Sequence, residues 1–166
     1  VILITASEYT SHCYAHYNYT GLFDDGSDQF SNPLTCNECA KRHPRDVVCE
    51  IIQLVRDGLK SGSRAMEVIA WNWSWTLYEP DPGAGIINGL PKDVILMCDL
   101  ERGDTKKILN KPRTVDEYSL SFIGPSKRFL KAFNMAKKRD LRFMAKLQFG
   151  TTHELATVPN IPVIKN

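Results

Sequence analysis

Four stretches of the chain are apolar, strand-like runs that end abruptly in acidic, aromatic or histidine residues. They are Val1–Glu8, Met66–Trp75, Asp93–Arg102 and Leu141–Glu154. Short continuous runs of Val, Ile, Leu and Met are typical of buried parallel strands, and in α/β folds the ligand lies just beyond the carboxyl ends of such strands. The pattern therefore predicts a parallel sheet whose chemistry lies along one edge.

Helical patterns separate these strands. Apolar residues repeat at helical spacing from Pro44 until Gly62, and Ser126 is a favourable N-cap for a later helix. A short helical turn is predicted around Ile86–Gly89, a polar connector is predicted after the third strand, and the basic residues at 127–139 are predicted to form a solvated helix face. Strands that alternate with helices imply right-handed crossovers and a parallel sheet.

Two α/β architectures fit this order, a doubly wound sheet and part of a (β/α)8 barrel. No glycine-rich phosphate loop follows a strand, which disfavours the nucleotide-binding version of the first. Acids and aromatics at every strand end are typical of a barrel, which when complete has eight strands and about 250 residues. We predict an α/β fold, a partial (β/α)8 TIM barrel of about four parallel β/α units. It would form a single domain over residues 1–166, with a long rim loop at 9–43.

Composition narrows the class of partner. The chain has 166 residues, of which 43% are hydrophobic and 24% charged, and a net charge of +2, which gives no reason to expect nucleic acid or a membrane surface. It contains no run of about 18 apolar residues, so no transmembrane helix is predicted.

Val1 already lies in a strand-like run, so we expect a piece of a longer or processed protein, soluble and either cytoplasmic or exported. Open barrel edges would favour self-association.

Acidic residues at the strand ends are the candidates for catalysis. Glycoside hydrolysis commonly uses two carboxyl groups, about 5–5.5 Å apart for retention and about 6.5–9.5 Å apart for inversion. Asp99 and Glu101 are two residues apart, so along an extended backbone both would point to one side. Glu8 has Tyr9 and His12 beside it, and an aromatic environment would raise its pKa and suit it as a general acid. The alternative for each acid is an ion pair or a helix cap.

Aromatic and polar residues near the same ends are the candidates for substrate binding. Trp71, Trp73 and Trp75 alternate, which along a strand would place all three on one face, where indole rings stack on sugars. Core packing is the alternative. The remaining candidates are polar or aromatic residues close to strand ends, namely Tyr9, His12, Arg102, His153 and Glu154.

Five cysteines leave three interpretations open. Cys36 and Cys39 have metal-ligand spacing, and a zinc site could be completed by Cys13, His12, His16 or His43. A disulfide that staples the long loop and free structural thiols are the other two interpretations. We expect no cofactor, with zinc at Cys36 and Cys39 as the alternative.

Several strings also resemble one family: TASEYTSHCYAHY, CNECAKRHP, VIAWNWSW, ILMCDLERG, DEYSLSFIGPSKRF and KLQFGTTHELATVPNIPV. Together they resemble the later strands and rim loops of TIM-barrel glycoside hydrolase-like proteins akin to the β-N-acetylhexosaminidases. The resemblance implies the carboxyl-terminal half of a barrel that acts on a carbohydrate. The adjacent Asp-Glu pair of the hexosaminidases is replaced here by Ser7-Glu8, which departs from the acetamido-assisted mechanism.

The sequence thus predicts a glycoside hydrolase-like module with Glu8, Asp99 and Glu101 as catalytic residues. The first alternative is a carbohydrate-binding domain without turnover, in which the same acids only accept hydrogen bonds from hydroxyl groups. The second is a metal-supported hydrolase built on the Cys and His residues of the long loop.

Overall fold

A computed structural model describes the protein at residues 1–5, 13, 36–63, 65–75, 79, 82–115, 122 and 124–147. Within these ranges the chain forms a parallel sheet, a separate hairpin and three α-helices. None of the described helices is both long and apolar enough to cross a membrane.

Four parallel strands form the sheet, as the apolar runs predict. They are β1 (Ile2–Leu3), β2 (Ile69–Trp71), β3 (Ile95–Asp99) and β6 (Phe143–Lys146), in the spatial order β1-β2-β3-β6. All three pairings are parallel. The sequence prediction of an α/β fold with a parallel sheet is confirmed.

A hairpin lies where the sequence predicts only a polar connector. Its strands are β4 (Asp104–Ile108) and β5 (Lys111–Val115), which pair antiparallel and form a separate two-stranded sheet. Leu109 and Asn110 both have positive φ, the combination that a tight two-residue hairpin turn requires. The prediction of a connector was wrong because most of the hairpin is exposed and polar, so that no apolar pattern marks it.

The helices begin and end close to the predicted residues. They are α1 (Pro44–Gly62), α2 (Ala84–Gly89) and α3 (Lys127–Lys138). Pro44 occupies the first turn of α1, where its missing N–H costs nothing, and the His43 ring nitrogen Nδ1 accepts a hydrogen bond from the Arg45 N–H. Ser126 caps α3 by accepting the Phe129 N–H at 3.1 Å, as predicted.

One face of the sheet packs against all three described helices. Its side chains alternate with those of the opposite face, as strand geometry requires. Ala70, Leu96 and Cys98 from the sheet share a core with residues of α1, α2 and α3. At the outer strand, the Phe143 ring packs edge-on against Phe129 of α3, with 5.1 Å between ring centroids.

The opposite face of the sheet carries a different set of residues. The strand register aligns Ile2 with Ile69 and Ile95, and Trp71 with Met97, on this second face. None of these five residues belongs to the core that the described helices cover. The helices and this second face therefore lie on opposite sides of the sheet.

A buried glutamate positions the start of α2. Glu79 is 6% exposed, and its carboxylate accepts the backbone N–H of Gly85 at 3.0 Å and that of Ile86 at 2.6 Å. A Cβ at Gly85 would approach the Glu79 carboxylate to 2.5 Å, so only glycine fits there without a shift. The start of α2 therefore depends on this carboxylate.

We expect Glu79→Ala to lower the free energy of unfolding by about 1–3 kcal/mol, because it leaves the buried Ile86 N–H and the part-buried Gly85 N–H without their acceptor. Chemical denaturation followed by circular dichroism measures the change. Glu38→Ala is the control: Glu38 is exposed and pairs with Lys41 on the surface, so we expect a loss of no more than about 0.5 kcal/mol. Equal losses in the two variants would contradict this role of Glu79.

Candidate functional site

A buried aspartate lies at the carboxyl end of the central strand. Asp99 ends β3, and its side chain is 0% exposed. Its Oδ1 atom accepts the indole N–H of Trp71, the last residue of β2, at 3.1 Å. Lys146 is the register partner of Asp99 on β6, and its ammonium group lies 4.9 Å from the centre of the Trp71 ring. Three neighbouring strands thus bring an acid, an indole and a cation together.

Burial is the largest influence on the pKa of Asp99. Loss of solvent raises the pKa of its carboxyl group above the ordinary value, because the charged form is poorly solvated there. The positive charges of Arg128, Lys146 and Arg102 act in the opposite direction, as does the Trp71 N–H, and burial is the larger effect. A carboxyl group with a raised pKa can donate a proton or a hydrogen bond nearer to neutral pH.

Several buried polar atoms at the same edge have no hydrogen-bond partner within the described part of the chain. They are Oδ2 of Asp99, both amide atoms of Asn72 and the indole Nε1 of Trp73. Buried polar groups are nearly always paired, so such a group needs a specific explanation. Together these atoms offer hydrogen-bond donors and acceptors to a polar ligand.

A buried arginine fixes the ends of β2 and β3 relative to α3. Arg128 is 2% exposed and donates to the Asn72 carbonyl oxygen at 2.8 Å and to the Cys98 sulfur at 3.5 Å. The prediction of a wholly solvated basic face on α3 was therefore wrong at this residue. Gly103 makes room for it: the glycine has φ +87°, and a Cβ there would lie 2.4 Å from Arg128 Cβ.

The second predicted acid of this strand lies beyond its end. Glu101 is two residues past Asp99 and is 1% exposed. The strand stops at Asp99, so simple alternation does not describe where Glu101 points. Arg102 next to it donates to the Trp73 carbonyl oxygen. The guanidinium of Arg102 thus helps to hold the segment that carries Trp73.

The prediction that the three tryptophans share one strand face was wrong. β2 ends at Trp71, and the chain then turns. Trp75 is 0% exposed within the helix-covered core, and its indole N–H donates to Thr5 Oγ1 at 3.0 Å. Trp71 and Trp73 lie together, with ring centroids 5.8 Å apart and planes inclined at 35°. Trp75 is therefore a core residue, whereas Trp73 remains a candidate for ligand contact.

Three thiols form a second cluster. The sulfur atoms of Cys13, Cys36 and Cys39 all lie within 4.8 Å of one another, a set that could hold a metal ion. Backbone N–H groups hydrogen-bond to Cys36 and lower the pKa of its thiol, that of Cys39 making the larger contribution. Hydrogen bonds with the thiols of Cys13 and Cys36 raise the pKa of Cys39 to about 11. His43, another predicted candidate ligand, instead uses Nδ1 to cap α1.

The remaining predicted site residues lie outside the described residues. These are Glu8, Tyr9, His12, His153 and Glu154, together with His16 of the predicted metal set. Sequence reasoning missed Asn72 and Lys146 at the sheet edge. Asn72 is the first polar residue after a buried strand, which is a usable signal, whereas Lys146 depends on the pairing of β6 with β3.

Comparison with known proteins adds no relative from which a role could be transferred. No protein-family model, curated protein or solved structure matches the chain.

The raised pKa of Asp99 makes the stability of the protein depend on pH. Its folded-state pKa lies above the unfolded value, so folding takes up a proton between the two values, and the stability from this group is lost as pH rises through that range. We expect Asp99→Asn to stabilise the protein more at about pH 7 than at about pH 4. Urea denaturation at the two pH values measures the difference.

Asp93→Asn is the matched control, because Asp93 precedes the same strand at its opposite end. A hydrogen bond from Arg56 lowers the pKa of Asp93, so its stabilisation is present above the unfolded pKa and is lost as pH falls through the folded value. We therefore expect Asp93→Asn to destabilise the protein at about pH 7 and to have less effect at about pH 3. A pH-independent effect of Asp99→Asn would contradict the raised pKa.

Proposed function

We propose that the carboxyl-end edge of the sheet binds a carbohydrate and hydrolyses a glycosidic bond, with Asp99 as the general acid. The observation that carries the proposal is the state of this carboxyl group. One oxygen is held by the Trp71 N–H, the other has no partner among the described residues, and burial raises its pKa. A general acid needs a fixed orientation, a free oxygen and a proton to give near neutral pH.

Neighbouring groups suit the hydroxyl-rich surface of a sugar. The Asn72 amide supplies a donor and an acceptor, and the Trp73 indole supplies a donor, with no partner for any of them in the described structure. Hydroxyl groups both donate and accept hydrogen bonds, so a sugar could satisfy all of these atoms. We assign Trp71 to holding Asp99 and Trp73 to contact with the sugar.

Glycoside hydrolysis also needs a second carboxyl group. Glu101 is our candidate among the described residues, because it follows Asp99 by two positions and is buried at the same edge. Glu8 of the first strand run is the other candidate that the sequence indicates. The role of the second group as nucleophile or as base depends on its separation from Asp99.

The helices lie on one face of the sheet, which supports a (β/α)8 barrel as the fold that carries this site. We propose that the sheet is part of a (β/α)8 barrel, whose helices lie outside and whose second sheet face lies inside. All three described helices share a core with one face, and the other face carries Trp71 and Asp99 at its carboxyl end. A doubly wound sheet would have helices on both faces. In a barrel, this edge is where active sites are built.

A carbohydrate-binding protein without turnover is the second candidate, and one observation favours it. Asp99 is 0% exposed and Glu101 is 1% exposed. A general acid must reach the glycosidic oxygen, and carboxyl groups so thoroughly covered reach it only if the edge opens when ligand binds. The same polar atoms could bind sugar hydroxyls without any proton transfer.

Aryl glycosides of a range of sugars separate the two candidates. If the protein is a glycosidase, we expect Asp99→Asn to lower kcat by about 100- to 10,000-fold for leaving groups that need protonation. The kcat for dinitrophenyl glycosides, whose leaving group departs without a proton, should fall far less. Steady-state kinetics on the two substrate classes measure this contrast.

Asp93→Asn again serves as the control, because it removes a carboxylate at the opposite end of β3 and should leave kcat unchanged. Equal losses on both substrate classes would remove Asp99 from the role of general acid. If no aryl glycoside is cleaved but calorimetry detects sugar binding that Asn72→Ala and Trp73→Phe weaken, the protein is a binding module. The absence of both turnover and sugar binding would refute the proposal.

A further inference from the structure

The cluster of three thiols lies where the chain enters α1. Cys39 begins a short 3-10 turn, Cys39–Lys41, and His43 then caps α1. Cys36 lies in the turn just before it, where its carbonyl oxygen accepts the Ala40 N–H at 2.9 Å. Cys13 lies 23 residues before Cys36 in the chain. The cluster thus joins residues that are distant in sequence.

The geometry of the cluster is close to that of a thiolate metal site. All three sulfur atoms lie within 4.8 Å of one another. A tetrahedral zinc ion with Zn–S bonds of about 2.3 Å requires sulfur atoms about 3.8 Å apart, so only a small contraction is needed. A disulfide would join two of the sulfurs at about 2.05 Å and leave the third thiol without a role. No disulfide joins any two of these three cysteines in the structure.

Hydrogen bonds around the cluster also favour metal binding. The backbone N–H groups of Glu38 and Cys39 donate to the Cys36 sulfur, and the thiols of Cys13 and Cys36 are hydrogen-bonded to that of Cys39. Backbone donors of this kind fix the orientation of a metal-bound group. The turn therefore holds the Cys36 sulfur in a fixed position beside the other two.

We propose that Cys13, Cys36 and Cys39 bind one zinc ion through three thiolates and that this ion ties Cys13 to the turn that precedes α1. Three S–H bonds lose their protons to solvent, three Zn–S bonds form, and no electron is transferred. The fourth position is left to water or another ligand. Three thiolates carry more negative charge than the dication carries positive charge, so the bound ion would be a weak electrophile, and on this ground we assign it a structural role.

Metal uptake by the whole chain tests the proposal. The protein is reduced, freed of metal under anaerobic conditions and titrated with Co²⁺, whose thiolate complexes have a charge-transfer absorption in the near ultraviolet. We expect this absorption to saturate at one equivalent and to vanish when Zn²⁺ displaces the cobalt. Zinc should also raise Tm, because it binds the folded state. Absence of the charge-transfer absorption would overturn the proposal.

Serine variants identify the ligands. We expect Cys13→Ser, Cys36→Ser and Cys39→Ser each to weaken zinc binding by more than about tenfold, since even changes outside the ligand shell cost about 10- to 100-fold. Cys49→Ser is the matched control, because the Cys49 thiol lies in α1 against the Ile86 carbonyl oxygen, 3.7 Å away. Binding that survives both Cys36→Ser and Cys39→Ser, or that Cys49→Ser weakens equally, would refute the assignment.

Alkylation of the unmodified chain gives a test that needs no variant to fold. Zinc should slow the reaction of Cys13, Cys36 and Cys39 with iodoacetamide and leave the rate at Cys49 unchanged, as peptide mass spectrometry can measure. Equal rates with and without zinc would overturn the proposal. Neither readout involves a sugar, so the outcome is independent of the function proposed for Asp99.

Discussion

Burial of β3 between β2 and β6 is the constraint on which the rest of the structure depends. All five of its residues are buried, and it pairs with a parallel strand on each side. Because its neighbours run in the same direction, their carboxyl ends meet at one edge and bring Trp71, Asp99 and Lys146 together. The alternate residues, such as Leu96 and Cys98, point to the helices and supply the core. One strand therefore fixes both the packing and the candidate site.

The burial of β3 also places two opposing electrostatic effects on Asp99 at the edge of the sheet. Desolvation of Asp99 opposes its charge, whereas the Trp71 N–H and the cations of Lys146 and Arg128 favour it. Burial prevails, so the group is less stable as a carboxylate than it would be in water. An apolar residue would avoid this cost. Proteins tend to retain such unfavourable groups where function requires them, which is why we weigh Asp99 above the exposed acids.

Strong apolar periodicity made much of the fold predictable. The four parallel strands, α1 and the Ser126 cap follow from local patterns that the structure preserves. Burial of Arg128 does not follow, because its environment consists of Gly103 and the Asn72 carbonyl, which are distant in sequence. Trp75 was misplaced because alternation predicts a shared face only while a strand continues, and β2 ends at Trp71. The placement of Lys146 beside Asp99 likewise depends on the register between β3 and β6, which no local pattern indicates.

The topology links the two candidate sites. The connection from the end of α1 to β2 is short, so the start of α1 lies at the carboxyl edge of the sheet, where Arg45 of α1 approaches Gly85 of α2. The thiol cluster precedes α1 directly and therefore lies toward the same carboxyl edge of the sheet as Asp99, although Asp99 belongs to the opposite sheet face. A soft, thiolate-rich set and a carboxyl–amide set attract different ligands, zinc for the first and hydroxyl groups for the second. An ion at the cysteines would therefore support the start of α1 without taking part in the chemistry at Asp99.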